Sequence, residues 1–253
     1  MRPMSKILLS RSIPPEPSDY QFLISIDYIT TWKAPSSGWY QITVIGRGGN
    51  GGQGGSGYPY QGATNANGGN GGGGGGGGCA ISRLYIKKGT EVPIVAGSVD
   101  VVYFNAKDNT IAASGGTNGG KGKDNTSGYG SNQANLIGAA GIGGTAYGGN
   151  RLNRIGNNGN YWYTPYRWGN GSAPLNGQKY YSTPYAQGGL DGGQYPTYQP
   201  TAGASAPRGN VNSPMFGGGG GGGGGGASYA VPNEGAHGGT GAKGGVVIEI
   251  GVK

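Results

Sequence analysis

Apolar and polar residues alternate most regularly in two short runs, one early in the chain and one at its end. In residues 38–45, Tyr40, Ile42 and Val44 fall on one face of an extended chain, and polar residues separate them. In residues 246–252, valine and isoleucine alternate with other residues in the same way. A period of two is typical of a strand with one buried face, so both runs are predicted to be strands.

Further runs rich in β-branched and aromatic residues lie between these two, and turn residues separate them. The predicted strands are 20–32, 38–45, 80–86, 91–96, 99–105, 110–114 and 246–252. The first six are predicted to form three successive hairpins. We expect the last strand to return and pair with the early ones, because an unpaired sheet edge must be covered. The pattern predicts an all-β fold, a small antiparallel β-sandwich of residues 20–114 and 246–253 with no α-helix.

Glycine fills the long intervals between these strands. It accounts for 63 of 253 residues, and it dominates residues 46–79 and 115–245, with uninterrupted runs at 71–78 and 217–226. Such tracts are either flexible linkers or polyglycine II helices with three residues per turn that bond to one another. The entropy lost on ordering glycine favours linkers. The repetition of several tracts between fixed strand ends favours an ordered bundle, and we expect the inserted tracts to form one.

The most distinctive segment is rich in tyrosine and tryptophan, and it lies within the predicted surface loops of residues 150–210. Exposed rings on glycine, serine and asparagine loops are typical of recognition surfaces. The candidate receptor-binding residues are Tyr161, Trp162, Tyr163, Tyr166, Arg167, Trp168, Tyr180, Tyr181, Tyr185, Tyr195 and Tyr198. The same rings could instead pack over the glycine tracts as a small second core, and the sequence leaves both interpretations open.

The residues that usually carry catalysis or metal binding are scarce. There is one cysteine, Cys79, and one histidine, His237, and the acidic residues are scattered singly. Residues 115–121 come close to a phosphate-binding loop, but Gly122 stands where a magnesium-binding hydroxyl is required. We therefore predict a protein that is not an enzyme and that has no cofactor, no metal site and no disulfide within the chain.

The net charge and the absence of certain motifs limit the kinds of partner that the sequence predicts. The net charge is +8, which favours binding to an anionic surface, although the number of cations is ordinary. A glycine-rich RNA-binding protein would carry many Arg-Gly-Gly repeats, and here one is found at 47–49, so no nucleic acid is expected. An ice-binding polyglycine bundle would need a regular tripeptide repeat that forms a flat face. We do not expect such a repeat in this sequence. No secretory signal or membrane insertion is predicted, and residues 1–19 are expected to form an extended attachment arm.

The order of the motifs resembles the glycine-rich domain at the tips of bacteriophage tail fibres, including the distal adhesins of T-even-like phages. A Trp-x-x-Pro hairpin leads into a glycine tract, a hairpin follows around Lys-x-Gly, and further tracts close on a Val-Val-Ile strand. The matching segments are 31–55, 71–97, 113–120, 217–233 and 238–250. The chain departs from the T-even adhesins because residues 1–19 are too short to match their sizeable N-terminal attachment domain.

This resemblance implies a β-sandwich that carries a polyglycine II bundle, and a role in recognising the host surface. The expected partners are other tail or fibre subunits, bound through the N-terminal arm or the sheet, and a glycan or protein on the host cell. A homo-oligomer is compatible with the sequence, which fixes no subunit number. The expected location is the virion tail or fibre tip, after synthesis in the bacterial cytoplasm and release by lysis. The alternative is a structural decoration or tail-tip protein whose glycine-rich loops mediate subunit assembly.

Overall fold

The computed structural model describes residues 13–57, 68–107, 109–125, 136–159, 205, 216–219 and 234–252. These residues contain ten strands and no α-helix. The strands are β1 (Asp19–Ile26), β2 (Thr30–Lys33), β3 (Gly38–Ile45), β4 (Cys79–Ile86), β5 (Glu91–Val95), β6 (Val101–Ala106), β7 (Asn109–Ser114), β8 (Ala146–Tyr147), β9 (Leu152–Arg154) and β10 (Gly245–Val252).

Two five-stranded antiparallel sheets face each other. Sheet A has the order β1-β10-β3-β4-β9, and sheet B has the order β2-β5-β6-β7-β8. The predicted all-β sandwich is therefore confirmed. The last strand does return to the early ones, because β10 lies between β1 and β3.

Two of the three predicted hairpins are wrong. Residues 20–32 do not form one strand paired with 38–45; they divide into β1 in sheet A and β2 in sheet B, and the chain changes sheets at Asp27. Similarly, β4 and β5 flank the turn at 87–90 but belong to different sheets. The turn itself is real, since Thr90 N donates to Lys87 O and Gly89 has a φ of 80°. These connections cross between the layers instead of joining neighbouring strands.

The third hairpin is confirmed, because β6 and β7 pair along their whole length from Val101–Ser114 to Ala106–Asn109. Sheet B also gains β8 and sheet A gains β9, both from residues 146–154, which the sequence analysis assigned to glycine-rich insertion. The sandwich is therefore larger than the predicted 20–114 and 246–253.

Aliphatic and aromatic side chains fill the space between the sheets. Tyr40, Ile42 and Val44 of β3 are fully buried there, as their alternation predicts. The rings of Trp32 and Tyr40 meet edge to face, with centroids 5.3 Å apart. The remaining large, fully buried members of this core include Phe104, Ile94, Ile111, Val92, Val102, Val246 and Ile248.

A smaller apolar cluster lies on the other face of sheet A. It contains Ile45, Cys79, Ile81, Val247 and Phe216. Ile45 and Cys79 are paired across β3 and β4 at the point where both strands meet glycine tracts. This cluster therefore packs between the sandwich and the inserted tracts and excludes water from their contact.

The glycine tracts all leave the sandwich at one end. Residues 46 and 115 follow the ends of β3 and β7, and residues 78, 145 and 244 precede the starts of β4, β8 and β10. We call this the bundle end. At the opposite end, Asp19 of β1 pairs with Val252 of β10, so the N-terminal arm enters there; we call it the terminal end.

Candidate functional site at the distal end of the glycine bundle

The described glycine-rich segments run alongside one another and are bonded through their backbones. We number them as tracts: T1 (46–57), T2 (68–78), T3 (114–125), T4 (136–145), T5 (156–159), T6 (216–219) and T7 (234–244). T1 and T2 are antiparallel, and the bonds between them recur every third residue. They join Gly46 N to Gly78 O, Gly49 N to Gly75 O, Gly52 N to Gly72 O and Gly55 N to Gly69 O, at 2.7–2.9 Å.

This period of three is the one expected for polyglycine II helices, which have no internal hydrogen bonds and must satisfy their N–H and C=O groups on neighbours. The other tracts continue the pattern. T3 accepts from T2 at residues 114, 117, 120 and 123, and it donates to T1 from residues 116, 119 and 122. Over the described residues, the tracts are thus an ordered bundle and not a set of independent linkers.

T2 lies at the centre of the bundle. It is bonded to T1, T3, T4, T5 and T6, and residues 71–78 are all buried. A helix with three residues per turn has three faces, and a tract surrounded on every face has no room for a side chain. This location explains why eight glycines follow one another without interruption at 71–78.

Sterics around T2 confirm that the close approach requires glycine. A Cβ added at Gly74 would lie 2.1 Å from Gly49 O, and one added at Gly72 would lie 2.0 Å from Ala139 O. Both neighbouring atoms belong to backbone that other tracts hold in place. By contrast, a Cβ added at Gly38 in β3 meets no atom within 4 Å.

T1 lies nearer the surface and repeats Gly-Gly-x, with Arg47, Asn50, Gln53 and Ser56 at every third position. The expectation that the sequence lacks regular tripeptide faces is therefore wrong for this tract. The side chains of the repeat help to tie T1 to T7. Asn50 Oδ1 accepts from Gly241 N at 2.9 Å, and Gln53 Nε2 donates to Gly235 O at 3.4 Å.

The far ends of the tracts meet at the end of the bundle that is opposite the sandwich, which we call the distal end. Several bonds hold these ends together. They join Gly55 N to Gly69 O, Lys123 N to Leu136 O, Gly54 N to Ala236 O and Asn125 N to Ser56 O. The connections 58–67 and 126–135 therefore start and finish at this common end.

Charged and polar side chains of T1 and T3 line the distal end. Asp124 Oδ1 accepts from Ser56 N at 2.7 Å, which fixes one tract end against the other. Lys121 Nζ lies 3.8 Å from the same carboxylate, and both side chains are largely exposed. These residues were not among the predicted site residues, although the charged run Lys121-Gly-Lys-Asp124 at the end of a glycine tract was a visible signal.

The predicted receptor-binding residues Tyr161, Trp162, Tyr163, Tyr166, Arg167, Trp168, Tyr180, Tyr181, Tyr185, Tyr195 and Tyr198 lie outside the described residues. The flanking residues do have positions. Gly156 and Gly159 of T5 donate to Gly144 O and Gly141 O of T4, both at 2.7 Å. T4 runs from the distal end towards the sandwich, so antiparallel T5 leads from β9 towards the distal end.

The N-terminal arm is anchored on the outer face of sheet A. Glu16 forms ion pairs with Arg83, at 2.9 Å, and with Arg151. The hydrogen bond from Arg83 is the main cause that lowers the pKa of Glu16 below its usual value, against a smaller opposing effect of burial. Trp39 Nε1 also donates to Pro14 O at 2.8 Å. The part of the predicted arm at 13–18 is thus fixed to the sheet.

Arg83 links this anchor to neighbouring strands. Its guanidinium lies 4.5 Å from the centre of the Tyr20 ring, and its Nε donates to Gln41 Oε1 at 2.9 Å. Gln41 in turn donates to Glu249 at 2.6 Å. Burial is the main cause that raises the pKa of Tyr20 above its usual value. The arm therefore rests on a network of side chains from four strands, β1, β3, β4 and β10.

The described residues give little support to nucleophilic or metal chemistry. Cys79 is buried, and burial raises the pKa of its thiol to about 12, so the reactive thiolate is suppressed. Within the described ranges, no three His, Cys, Asp or Glu side chains come together in a way that could hold a metal ion. The described part of the chain also contains no helix of the length and apolar character that a membrane crossing requires.

Comparison with known proteins adds no relative: a scan against protein-family models found no match to this chain, and a search of the curated proteins found no significant match.

Proposed function

We propose that this chain is a non-enzymatic protein of a bacteriophage tail or fibre tip, which binds a glycan or protein on the host surface. The observation that carries the proposal is the separation of two ends. The N-terminal arm and Val252 at the end of β10 lie at the terminal end, and the connections 58–67 and 126–135 start and finish at the distal end. A rigid body with attachment at one end and loops at the other suits a tip protein.

The resemblance of the glycine and strand motifs to phage fibre-tip domains supports the same proposal. Receptor contact is assigned to the aromatic segment between T5 and T6, because rigid tyrosine and tryptophan rings give a large contact area at low entropic cost. The arm at 13–18, fixed by Glu16, is assigned to joining the protein to other virion subunits. The proposed location is accordingly the tail or fibre tip of the virion.

A cell-binding assay tests this proposal. Fluorescently labelled protein should coat a subset of a panel of bacterial strains and block infection of those strains by the phage that carries it. The triple variant Tyr161→Ala, Trp162→Ala, Trp168→Ala should lose binding while keeping its melting temperature. The matched control is Tyr28→Ala with Tyr147→Ala, two aromatic residues that are each 57% exposed on the sandwich.

Binding to no strain would contradict the adhesin proposal. Unfolding of the triple variant would instead assign those rings to a second core.

A structural role in the virion is the second candidate, and exposed apolar side chains on the flank of the bundle favour it. Ile142 of T4 and Ile155, just before T5, are 63% and 64% exposed. Apolar side chains of this exposure on adjacent tracts suit a contact between subunits. If Ile142→Asp with Ile155→Asp prevents incorporation into particles but leaves cell binding intact, the flank serves assembly.

A further inference from the structure

An open groove lies where T3 leaves sheet B, at the base of the bundle. Its volume is about 440 Å³, and it is bordered by Arg47, Asp100, Val101, Ser114 and residues 115–118. The groove is far from the distal end along T3, since residues 115 and 124 are separated by three turns of the tract. It is thus separate from the distal end.

One side of the groove carries a paired cation and anion. Arg47 Nη2 donates to Asp100 Oδ1 at 2.9 Å, and the Asp100 side chain is 91% exposed. Asp100 Oδ2 has no hydrogen-bond donor among the described residues, and the backbone carbonyl of Asp100 holds Gly115 N at 2.7 Å. One carboxylate oxygen is therefore bonded to Arg47, and the other is free to accept a hydrogen bond.

A donor lies further along the same wall. Asn118 is one turn of T3 beyond Gly115, a rise of about 9 Å for three residues in this kind of helix. Asn118 Oδ1 accepts from Asn50 N at 2.9 Å, which orients the side-chain amide. The Nδ2 group has no acceptor within the described ranges, and it is available to donate.

The surface between these polar groups is partly apolar. The aliphatic part of the Arg47 side chain lies against Gly115, where an added Cβ would be 2.6 Å from Arg47 Cγ, and the side chain of Val101 in β6 is 38% exposed. A carboxylate acceptor, an oriented amide donor and a small apolar surface are the groups that complement a sugar ring, which has hydroxyls at its rim and C–H groups on its faces.

We propose that this groove binds a neutral sugar unit of a glycan. The class is neutral because the Arg47 charge is already compensated by Asp100, and the exposed carboxylate repels an acidic sugar. Asp100 accepts from sugar hydroxyls, Asn118 donates to one, and Val101 contacts the C–H face. This site is additional to the receptor contact proposed for the aromatic segment and does not depend on it.

A titration followed by amide chemical shifts tests the site in the full-length protein. The probes are the methyl glycosides of glucose, galactose, mannose and N-acetylglucosamine, with glucuronic acid and N-acetylneuraminic acid as anionic comparisons. At least one neutral glycoside should shift the amides of residues 115–118 and leave those at the distal end, such as Gly69, unchanged.

Two nearly isosteric substitutions then remove either the carboxylate acceptor or the amide donor. Asp100→Asn and Asn118→Asp should each weaken binding about tenfold, the value expected for losing one hydrogen bond to a sugar hydroxyl. Asn118→Asp keeps the acceptor for Asn50 N, so the tract should remain bonded. The control is Asp124→Asn, an exposed acid of the same tract outside the groove, which should leave sugar binding unchanged.

Several results would overturn the proposal. These are no shift with any neutral glycoside, shifts confined to residues outside the groove, tighter binding of an anionic sugar, or unchanged affinity in both groove variants. Slow exchange of the Gly72 and Gly75 amides in each variant verifies that the bundle is intact. If Asp100→Asn disturbs it, the result with Asn118→Asp decides. Loss of cell binding by the aromatic triple variant with retained sugar binding in the groove would show that the groove and the aromatic segment are separate sites.

Discussion

The sandwich and the glycine bundle of this protein each have a close-packed interior, but different atoms form the contacts in the two interiors. In the sandwich, side chains such as Phe104 and Ile42 fill the space between two sheets. In the bundle, backbone meets backbone, and the buried residues 71–78 have no side chains at all. The comparison teaches that close packing in one chain can depend on bulk in one region and on the absence of bulk in the other.

The two regions should therefore respond to a change of side-chain size in opposite directions. Removing atoms should damage the sandwich, whereas adding them should damage the bundle. Unfolding and hydrogen-exchange measurements on single substitutions test this contrast.

The largest effect is expected from Phe104→Ala. Phe104 is fully buried and contacts the Trp32 ring, with centroids 6.2 Å apart. Emptying this volume should lower the free energy of unfolding by about 3–5 kcal/mol. Urea denaturation measures the change, and the partly exposed Val101→Ala serves as the control, with a loss below about 1 kcal/mol. Equal losses in the two variants would contradict a core centred on Phe104.

The next effect is expected from Gly74→Ala, which adds a single methyl group. The new Cβ would meet Gly49 O at 2.1 Å, so T1 and T2 must separate. The expected loss is about 1–3 kcal/mol, measured by thermal or urea unfolding. Gly38→Ala adds the same group in open space and should change stability little. If Gly74→Ala proved as harmless as Gly38→Ala, T1 and T2 would not be in contact in solution.

A smaller effect should appear between adjacent amides of T1. Gly52 N and Gly54 N are bonded to Gly72 O and Ala236 O, whereas Gln53 N has no acceptor among the described residues. A net hydrogen bond of about 1 kcal/mol predicts exchange of the Gln53 amide about fivefold faster than that of its two neighbours. Amide-resolved hydrogen exchange measures this, and uniform fast exchange would indicate that the tracts are linkers.

The smallest effect on stability is expected from Glu16→Gln, which weakens the anchor of the arm. Partly exposed ion pairs contribute less than about 1 kcal/mol. The partners lower the pKa of Glu16 in the folded protein, so its contribution is complete above the unfolded value of 4.5 and is lost as the pH falls through the lower folded value. Unfolding measured from pH 7 to pH 3 should show the two proteins converge at low pH. A constant difference would assign the effect to another group.

The sequence predicts elements with strong local patterns and fails where partners are chosen across the fold. Alternation in residues 246–252 located β10, and β-branched residues located β3 through β7. The division of 20–32 into β1 and β2 was missed, because local alternation carries no information about which sheet a strand joins. The two short strands β8 and β9 were missed because two or three residues give no period.

The glycine runs alone were compatible with linkers or with a bundle, and they did not indicate how the tracts are arranged. Glycines carry no side chains that could indicate a neighbour, so the bonding of T2 to five other tracts could not be read from its eight identical residues. The repeat of Arg47, Asn50, Gln53 and Ser56 at every third residue did indicate that one side of T1 carries side chains and does not face the centre of the bundle. For the candidate site, the aromatic residues predicted for binding lie outside the described ranges and stay a prediction, while the groove beside Asp100 joins residues far apart in sequence.

The three-residue period of T1 also governs how the length of this protein can change during evolution. One residue inserted into T1 would rotate every later position by about a third of a turn, which would turn Asn50 or Gln53 towards T2, where only glycine fits. Insertion of three residues would restore the register. Tracts can therefore lengthen only in triplets, whereas the connections beyond the distal end can gain or lose residues one at a time. The architecture separates a frame whose length is restricted from connections whose length is not.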